Sequence, residues 1–262
     1  MRHACDLCGS ESPDPIPDTP LHVCPVCGLV YVVERRSADE IAAEWSDSVF
    51  GEGYSAVWPA VKARHEYVAA FMEERGLIGR TLLDIGAGEG HFLRKMRDRG
   101  WEVSGLDPSP AHCANLRMSG IPAYCGTAGH VEIEETFDVV TVLWTLENTT
   151  QPRKMLEFAR SLLNPGGKIV VATGSRILVP FRKSLKSYLG DQKPDCHPTH
   201  WSATTLAAML MRVGFAFPER NRFEDTDWLV CVAETIGPTE PLRGDDPDQV
   251  KAHFAKWHEC FP

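Results

Sequence analysis

Four cysteines near the start of the chain have the spacing of a metal site. Cys5 and Cys8 are separated by two residues, as are Cys24 and Cys27, and fifteen residues lie between the pairs. Each Cys-x-x-Cys turn brings two sulfurs within reach of one tetrahedral ion, and four thiolates are a ligand set of structural Zn²⁺. Because four thiolates leave no open coordination position, the sequence predicts a structural zinc ribbon whose metal supplies most of the module's folding free energy.

A glycine-rich turn, DIGAGEG at residues 84 to 90, is a second candidate site. Its glycines alternate, whereas a pyrophosphate site at a helix start has the spacing G-x-G-x-x-G. Glu89 lies within the turn, where it would repel a diphosphate, and Asp84 ends the preceding strand, where it can orient an amino group. A ligand with an ammonium group and a cationic sulfur tolerates these acids, whereas a diphosphate does not.

Another acid, Asp107, ends the next predicted strand, 21 residues beyond Gly86. Ligands of such sheets bind where neighbouring strands end, so Asp107 is placed to accept hydrogen bonds from both hydroxyls of a ribose. Pro108 follows and can lie against an adenine ring.

Alternating strands and helices must position these residues. The alternation predicts a parallel sheet with helices on both faces. We expect one helix near the end of the chain as well, with Val250, Phe254 and Trp257 on a single face. The predicted strands are TLLDI, WEVSGLD, a weak strand near Pro122 to Tyr124, FDVVTVLW, KIVVAT and a last one over Trp228 to Ala233.

Composition limits the classes of function. A chain of 262 residues can bury one full-sized core with a small appendage. No apolar run approaches the ~18 residues of a membrane span, and the start MRHACDLCGS lacks the apolar stretch of a signal peptide, so we expect a cytoplasmic protein with reduced cysteines. The net charge is -9, and residues 1–50 hold three arginines against nine acids. A nucleic-acid partner is therefore not expected.

Four segments in this order resemble the class I S-adenosylmethionine-dependent methyltransferases. The resemblance covers roughly residues 57 to 234, and with the four-cysteine ribbon ahead of it the chain looks like bacterial zinc-ribbon methyltransferases, which include sugar C-methyltransferases. It implies an α/β, Rossmann-like sheet of seven strands whose last strand runs antiparallel. The segments are LLDIGAGEGHFL (82 to 93), VSGLDPSP (103 to 110), FDVVTVLWTLENTTQP (137 to 152) and LLNPGGKIVVAT (162 to 173).

The resemblance also implies a domain organisation and a set of cofactor contacts. We expect a zinc ribbon over 1–34, a linker or lid over 35–56, the methyltransferase domain over 57–236 and a tail over 237–262. Tyr54 lies where relatives place an aromatic residue over the cofactor, although it can equally anchor the ribbon to the main domain. The implied contacts are Gly86, Ala87 and Gly88 with the methionine part, Thr127 and Ala128 with the adenine, and Trp144 with the sulfonium.

The catalytic base departs from the family pattern. Many relatives have Glu-His after the fourth strand, but this chain has Glu147 and Asn148, and an amide is no general base at neutral pH. Glu147 remains a candidate catalytic residue. His197, four residues before Trp201, and His200 are the other candidates, and we hypothesise that one histidine deprotonates or orients the acceptor. Alternatively, His200 caps or packs against the following helix.

Three functions remain open from the sequence. The leading one is methyl transfer from S-adenosylmethionine to a small-molecule acceptor, such as a sugar or a natural-product intermediate. One alternative is an rRNA guanine methyltransferase with an N-terminal zinc site, and the other is a non-catalytic relative that binds the cofactor. A basic cluster, which either receives an anionic substrate or forms a solvated helix face, comprises Arg176, Arg182, Lys183 and Lys186.

Overall fold

The computed structural model describes residues 2–37, 40, 54–77, 80–174, 184–185, 197–224, 226, 228–237, 240 and 242–261. No helix in these ranges is both long enough and apolar enough to cross a membrane. The helices are α1 (Tyr54–Glu74), α2 (His91–Asp98), α3 (Pro110–Met118), α4 (Pro152–Ser161), α5 (Ala203–Arg212) and α6 (Pro247–Cys260). The strands are β1 (Asp14–Pro15), β2 (Leu21–Val23), β3 (Val30–Val32), β4 (Thr81–Ile85), β5 (Glu102–Asp107), β6 (Ala123–Cys125), β7 (Phe137–Leu143), β8 (Leu163–Thr173), β9 (Thr199–His200), β10 (Glu219–Arg220) and β11 (Leu229–Glu234).

The main sheet has seven strands in the order β10-β11-β8-β7-β4-β5-β6. Strands β4 to β8 pair in parallel, and β11 runs antiparallel to β8. The predicted Rossmann-like sheet with an antiparallel last strand is therefore confirmed. The chain starts in the middle at β4, builds outward to β6 and then crosses to β7 on the other side. This change of direction leaves a crevice between the carboxyl ends of β4 and β7, where such folds bind ligands.

Two of the strand boundaries that differ from the sequence prediction have local reasons. Strand β6 begins one residue later than predicted, at Ala123, because Pro122 has no N–H group to donate and takes part only through its carbonyl, which accepts from Gly105 N. Strand β8 begins at Leu163, which pairs with Phe137 before the register shifts. The Asn-Pro-Gly-Gly segment therefore forms an irregular first part of the strand, in addition to ending the helix.

The ribbon forms a separate sheet in the order β1-β2-β3-β9. Its fourth strand comes from the main domain, because Thr199 and His200 pair antiparallel with Tyr31 and Val30. The ribbon is therefore joined to the main sheet by backbone hydrogen bonds as well as by the chain itself.

The C-terminal helix α6 covers one face of the ribbon. Its Val250, Phe254 and Trp257 are buried in one apolar cluster with ribbon residues that include Ile16 and Leu21. Ile16 belongs to the proline-rich segment between the cysteine pairs, which has too few apolar residues to pack by itself. The C-terminal helix thus supplies the apolar surface that this segment lacks.

Candidate functional site

A cavity of about 370 Å³ opens where β4, β5 and β7 end. Helix α1 lines it as well, and so does the loop before β9. The lining residues include Val61, Arg64, His65, Gly86, Ala87, Gly88, Asp107, Pro108, Thr127, Ala128, Trp144, Glu147, Asn148, Gln151 and His197. Most residues that the sequence assigned to the cofactor therefore lie around one cavity, and their role as contacts remains a prediction.

The glycine turn is tied closely to its neighbours. The N–H groups of Gly86 and Ala87 both donate to Leu106 O, at 2.7 and 3.1 Å. Gly86 has φ 79°, and a Cβ atom there would lie 2.4 Å from the side chain of Thr145. Only glycine combines this backbone conformation with this close approach, so the turn holds its shape before a ligand arrives.

Asp107 is largely engaged by protein donors. Its Oδ1 accepts from Ser109 N and His112 Nδ1, both at 2.9 Å, and its Oδ2 accepts from Gly88 N at 2.8 Å. A carboxylate offers about four lone-pair positions, so one on Oδ2 is left for a ribose hydroxyl. The predicted contact with both hydroxyls requires a protein donor to share or leave its position. His112, which follows at the start of α3, was missed by the sequence reasoning.

Asp84 lies beneath the turn, and it is absent from the described residues that line the cavity. Its side chain is buried, and Thr141 Oγ1 donates to its Oδ1 at 2.6 Å. Burial raises the pKa of the Asp84 carboxyl to about 7, against the hydrogen bond from Thr141, which lowers it. From this position Asp84 supports the turn, and its predicted role in orienting an amino group stays a prediction.

Trp144 lines the cavity in a conformation that is uncommon for a large residue. Its φ is 50°, and its N–H donates to Ala172 O at 2.6 Å, which holds the end of β7 to β8. The guanidinium of Arg64 lies 5.2 Å from the indole centroid. Backbone strain of this kind persists where the surrounding structure enforces it, and it concentrates at functional sites.

Helix α1 brings Arg64 and His65 into the cavity, which sequence reasoning missed. Arg64 Nε is buried and has no hydrogen-bond partner among the described residues. Burial lowers the pKa of His65 to about 4, with smaller effects of the same sign from His91, Lys95 and Arg64, so His65 is neutral at pH 7. The available signal was spacing, because both residues lie on the same helical face as Val61 and Val68.

The segment after β7 forms a short 3₁₀ helix, Leu146–Asn148, at the edge of the cavity. Thr173 Oγ1 donates to Glu147 Oε2 at 2.8 Å, and Asn148 Nδ2 donates to Trp144 O at 3.1 Å. Both residues belong to the cavity lining, and these two bonds hold their side chains in place.

The two candidate histidines lie in different surroundings. His197 lines the cavity, whereas His200 is buried in β9 against the ribbon. Their ring centroids are 6.5 Å apart. The cap of α5 is Ser202, whose Oγ accepts from Thr205 N, so His200 does not cap that helix. The geometry thus favours His197 as the group that meets an acceptor.

Some predicted features fall outside the described residues. Helix α1 begins at Tyr54, but the side chain of Tyr54 is not among the described ones. The basic cluster lies outside the described residues as well. Their roles stay predictions.

The four cysteines of the ribbon are brought together as the spacing predicts. All four sulfurs lie within 4.8 Å of one another, with Cys5 and Cys27 at 3.5 Å and Cys8 and Cys24 at 3.4 Å. Four sulfurs bound to Zn²⁺ at ~2.3 Å stand ~3.8 Å apart, so this cluster has the size of a tetrahedral zinc site. The donor set and the geometry both fit the metal.

Arg35 connects the ribbon to the wall of the cavity. Its side chain is fully buried and donates to Val32 O at 2.6 Å, to Thr150 O at 3.0 Å and to Asp6 Oδ2 at 2.9 Å. Val32 N also donates to Pro198 O at 2.9 Å. The ribbon therefore holds both the segment after β7 and the loop that carries His197.

Residues 60–218 match a protein-family model described as a methyltransferase domain. The matched range contains the turn after β4, Asp107 and both segments held by the ribbon. The chain belongs to this methyltransferase family.

Curated relatives of this methyltransferase are named ubiquinone biosynthesis O-methyltransferase. The protein from Pseudomonas paraeruginosa is 35% identical over 112 residues, which is 40% of this chain and 48% of the relative. The mitochondrial protein from Schizosaccharomyces pombe is 29% identical over 160 residues, or 57% of this chain and 58% of the relative. The chain thus spans about half the length of the curated relatives it matches.

Solved structures share the fold of this methyltransferase. Magnesium protoporphyrin IX methyltransferase from Synechocystis, with bound S-adenosylhomocysteine, has a TM-score of 0.58 and 14% identity, covering 75% of this chain and 99% of that one. An amino pentose methyltransferase from Micromonospora echinaspora has a TM-score of 0.55 and 18% identity, covering 72% and 99% of the two chains. At these identities the likeness concerns the fold.

Proposed function

We propose that the protein transfers a methyl group from S-adenosylmethionine to a small-molecule acceptor. The observation that carries this proposal is the cavity at the change of strand direction, which is lined by the glycine turn and by Asp107. Acids in and beneath the turn fit a ligand that is cationic near its amino acid end, whereas they would repel a diphosphate.

Different lining residues would contact different parts of the cofactor. Gly86, Ala87 and Gly88 would contact the methionine part, Asp107 the ribose and Trp144 the region of the sulfonium. The cation of Arg64 suits the carboxylate of the methionine part, because a guanidinium forms strong bonds with carboxylates. The adenine would lie against Pro108, Thr127 and Ala128.

The protein would contribute to the reaction by aligning the acceptor with the methyl group and by accepting a proton. S-adenosylmethionine supplies an electrophilic methyl group, and the acceptor atom must lie in line with it. His197 would accept the proton of the acceptor or orient it. His65 is a weaker choice of base, since its pKa of about 4 makes it a poor proton acceptor at neutral pH.

The ribbon has a structural role in this proposal. Cys5, Cys8, Cys24 and Cys27 would hold Zn²⁺ with no position open for substrate. Pairing of β3 with β9, together with Arg35, would then fix the acceptor side of the cavity. The metal acts on the reaction only by holding these segments in place.

The acceptor is proposed to be a sugar or a natural-product intermediate. The names of the curated relatives favour transfer to oxygen, and one structural neighbour acts on an amino pentose by its name. An rRNA acceptor is disfavoured by the acidic ribbon, which carries a net charge of the wrong sign for a phosphate backbone. A non-catalytic relative would bind the cofactor and transfer no methyl group, and Asn148 is the feature that favours it.

The proposal can be tested by measuring transfer of label from radiolabelled S-adenosylmethionine to a panel of sugars, phenols and amines. Structured RNA is tested separately as an acceptor. We expect label in a small molecule and none in RNA. The variant His197→Gln should lower turnover on that acceptor by about 10²-fold or more if His197 is the base, with the affinity for S-adenosylhomocysteine unchanged. Cofactor binding without label in any acceptor would instead support the non-catalytic relative.

A further inference from the structure

His112 belongs to the cavity lining and has no part in the proposed function so far. It lies in the first turn of α3, and it is buried together with Asp107. Its Nδ1 is 2.9 Å from Asp107 Oδ1. Because a carboxylate oxygen can only accept, Nδ1 carries the proton and His112 donates this bond. A buried histidine is thus bonded directly to the carboxylate that is proposed to hold the ribose.

The short segment between Asp107 and His112 fixes this pair locally. Pro108 and Pro110 restrict the backbone, and Pro110 is the first residue of α3. Ser109 is the N-cap, and its Oγ accepts from His112 N at 3.4 Å. The backbone N–H of Ser109 donates to Asp107 Oδ1 at 2.9 Å. The cap of the helix therefore brings His112 Nδ1 to the same carboxylate oxygen as Ser109 N.

These bonds fix the rotation of the Asp107 carboxylate. Ser109 and His112 hold Oδ1, and Gly88 N donates to Oδ2 at 2.8 Å. The last torsion of an aspartate is otherwise broad, so a ligand that bound a free carboxylate would have to order it at an entropic cost. Held by donors on both oxygens, the Asp107 carboxylate is oriented before a ligand arrives.

The main chain of Asp107 is held as well. Gly126 N donates to Asp107 O at 3.0 Å, and Cys113 Sγ donates to the same oxygen at 3.3 Å. Loss of the bond from His112 would therefore leave the end of β5 in place. Its effect would be confined to the orientation of the Asp107 side chain.

We propose that His112 is a positioning residue for cofactor binding, which holds the Asp107 carboxylate in the orientation that accepts from the ribose. This inference rests on the proposed function and adds a residue to its site. His112 acts through Asp107, so its contribution to affinity disappears when residue 107 has no carboxylate. A histidine that contacted the cofactor itself would contribute to affinity with or without that carboxylate.

Two substitutions of similar shape test this inference by calorimetry of S-adenosylhomocysteine with the full chain. His112→Leu removes the donor, whereas His112→Asn can place its amide Nδ2 where Nδ1 of the imidazole lies. We expect His112→Leu to lower the affinity about fivefold and His112→Asn to stay within about twofold of wild type. An affinity of the leucine variant equal to wild type or higher, or equal losses in both variants, would overturn the inference.

The same substitutions in an Asp107→Ala background separate positioning from direct contact. We expect His112→Leu to change the affinity no further there, because the side chain through which it acts is gone. A further loss of about fivefold in this background would place His112 on the cofactor and contradict the inference. If this background binds too weakly to be measured, the difference between His112→Leu and His112→Asn decides.

Two controls exclude a general effect on folding. Met118→Ala changes the same helix at a side chain that is 79% exposed, and it should leave the affinity for S-adenosylhomocysteine unchanged. Urea denaturation shows whether each variant folds. If His112→Leu does not fold, His112→Phe replaces it, because a phenyl ring keeps the planar shape and has no donor.

The proposed function fails separately in this design. Wild-type protein that does not bind S-adenosylhomocysteine contradicts the proposed function before any variant is compared. Wild-type protein that binds it, with a His112→Leu variant that binds equally well, contradicts only the inference about His112.

Discussion

The two sides of the cavity are built differently. On the cofactor side, Gly86 and Asp107 lie at the ends of adjacent strands, and their bonds join residues at most about twenty positions apart, such as Gly88 and Asp107. On the acceptor side, the wall depends on Arg35 and Thr150, which are 115 residues apart, and on the pairing of β3 with β9. The cofactor side is therefore an intrinsic part of the main sheet, whereas the acceptor side depends on a second module.

Removal of the Zn²⁺ that is proposed for the four cysteines should separate the two sides most strongly. A four-thiolate module gains roughly 10 kcal/mol or more from its metal, so chelation should unfold the ribbon. Hydrogen exchange should then quicken at residues 148–151 and 197–200 and stay slow in β4 and β5. Affinity for S-adenosylhomocysteine should change little by calorimetry. Equal loss of protection on both sides would show that the cavity has no such division.

Arg35→Met tests the main connection between the modules. The substitution leaves the Asp6 carboxylate, which is 13% exposed, without its cation, and removes the bonds of Arg35 to Val32 O and Thr150 O, a loss of ~3 kcal/mol in the free energy of unfolding. Urea denaturation measures it. Lys251→Met is the control, because its exposed pair with Asp14 should contribute nothing measurable. A small loss for Arg35→Met, matching the control, would mean that the acceptor wall is held by other contacts.

The sequence could indicate which residues meet on the cofactor side of the cavity because their signals are local. A strand, a glycine turn and a following acid occur within some 25 residues, and the strand ends bring them together in any sheet of this topology. Arg35 gave no such signal, because its partner Thr150 becomes a neighbour only after the ribbon has docked. The sequence did not indicate Arg64 and His65 as cavity residues for another reason, because polar residues on a helix are usually solvated.

Asp84→Asn separates support of the turn from contact with the ligand. Burial raises the pKa of Asp84 from the ordinary 3.8 to about 7. Between about pH 4 and pH 7 the folded protein therefore keeps this proton, whereas the unfolded chain loses it. The stability from this group is fully present below pH 4 and is lost as pH rises through 7, by at most about 4 kcal/mol.

The amide variant should remove that pH dependence, so its free energy of unfolding relative to wild type should rise between pH 4 and pH 8. Thermal or urea unfolding across this range measures the difference. A difference in the free energy of unfolding between variant and wild type that stays constant across this pH range would contradict the raised pKa. If Asp84→Asn leaves the affinity for S-adenosylhomocysteine unchanged, the role of Asp84 is limited to supporting the glycine turn.

A comparison of the stabilities of Gly86→Ala and Gly100→Ala measures how tightly the glycine turn is packed. Both glycines have positive φ, 79° and 86°, but a Cβ at Gly100 meets no atom within 4 Å. The Gly100 variant should lose ~1 kcal/mol from backbone strain, and the Gly86 variant a further ~1 to 3 kcal/mol from the clash with Thr145. Urea denaturation compares them. Equal losses would mean that the turn can move away from Thr145.

Calorimetry of S-adenosylhomocysteine with wild-type protein and with Asp107→Ala is the direct test of a cofactor site at the ends of β4 and β5. We expect saturable binding of one molecule per chain, weakened in the variant by ~1 to 3 kcal/mol as the ribose loses its acceptor. Wild-type protein that binds no S-adenosylhomocysteine, or a folded variant that binds it equally well, would rule out this site.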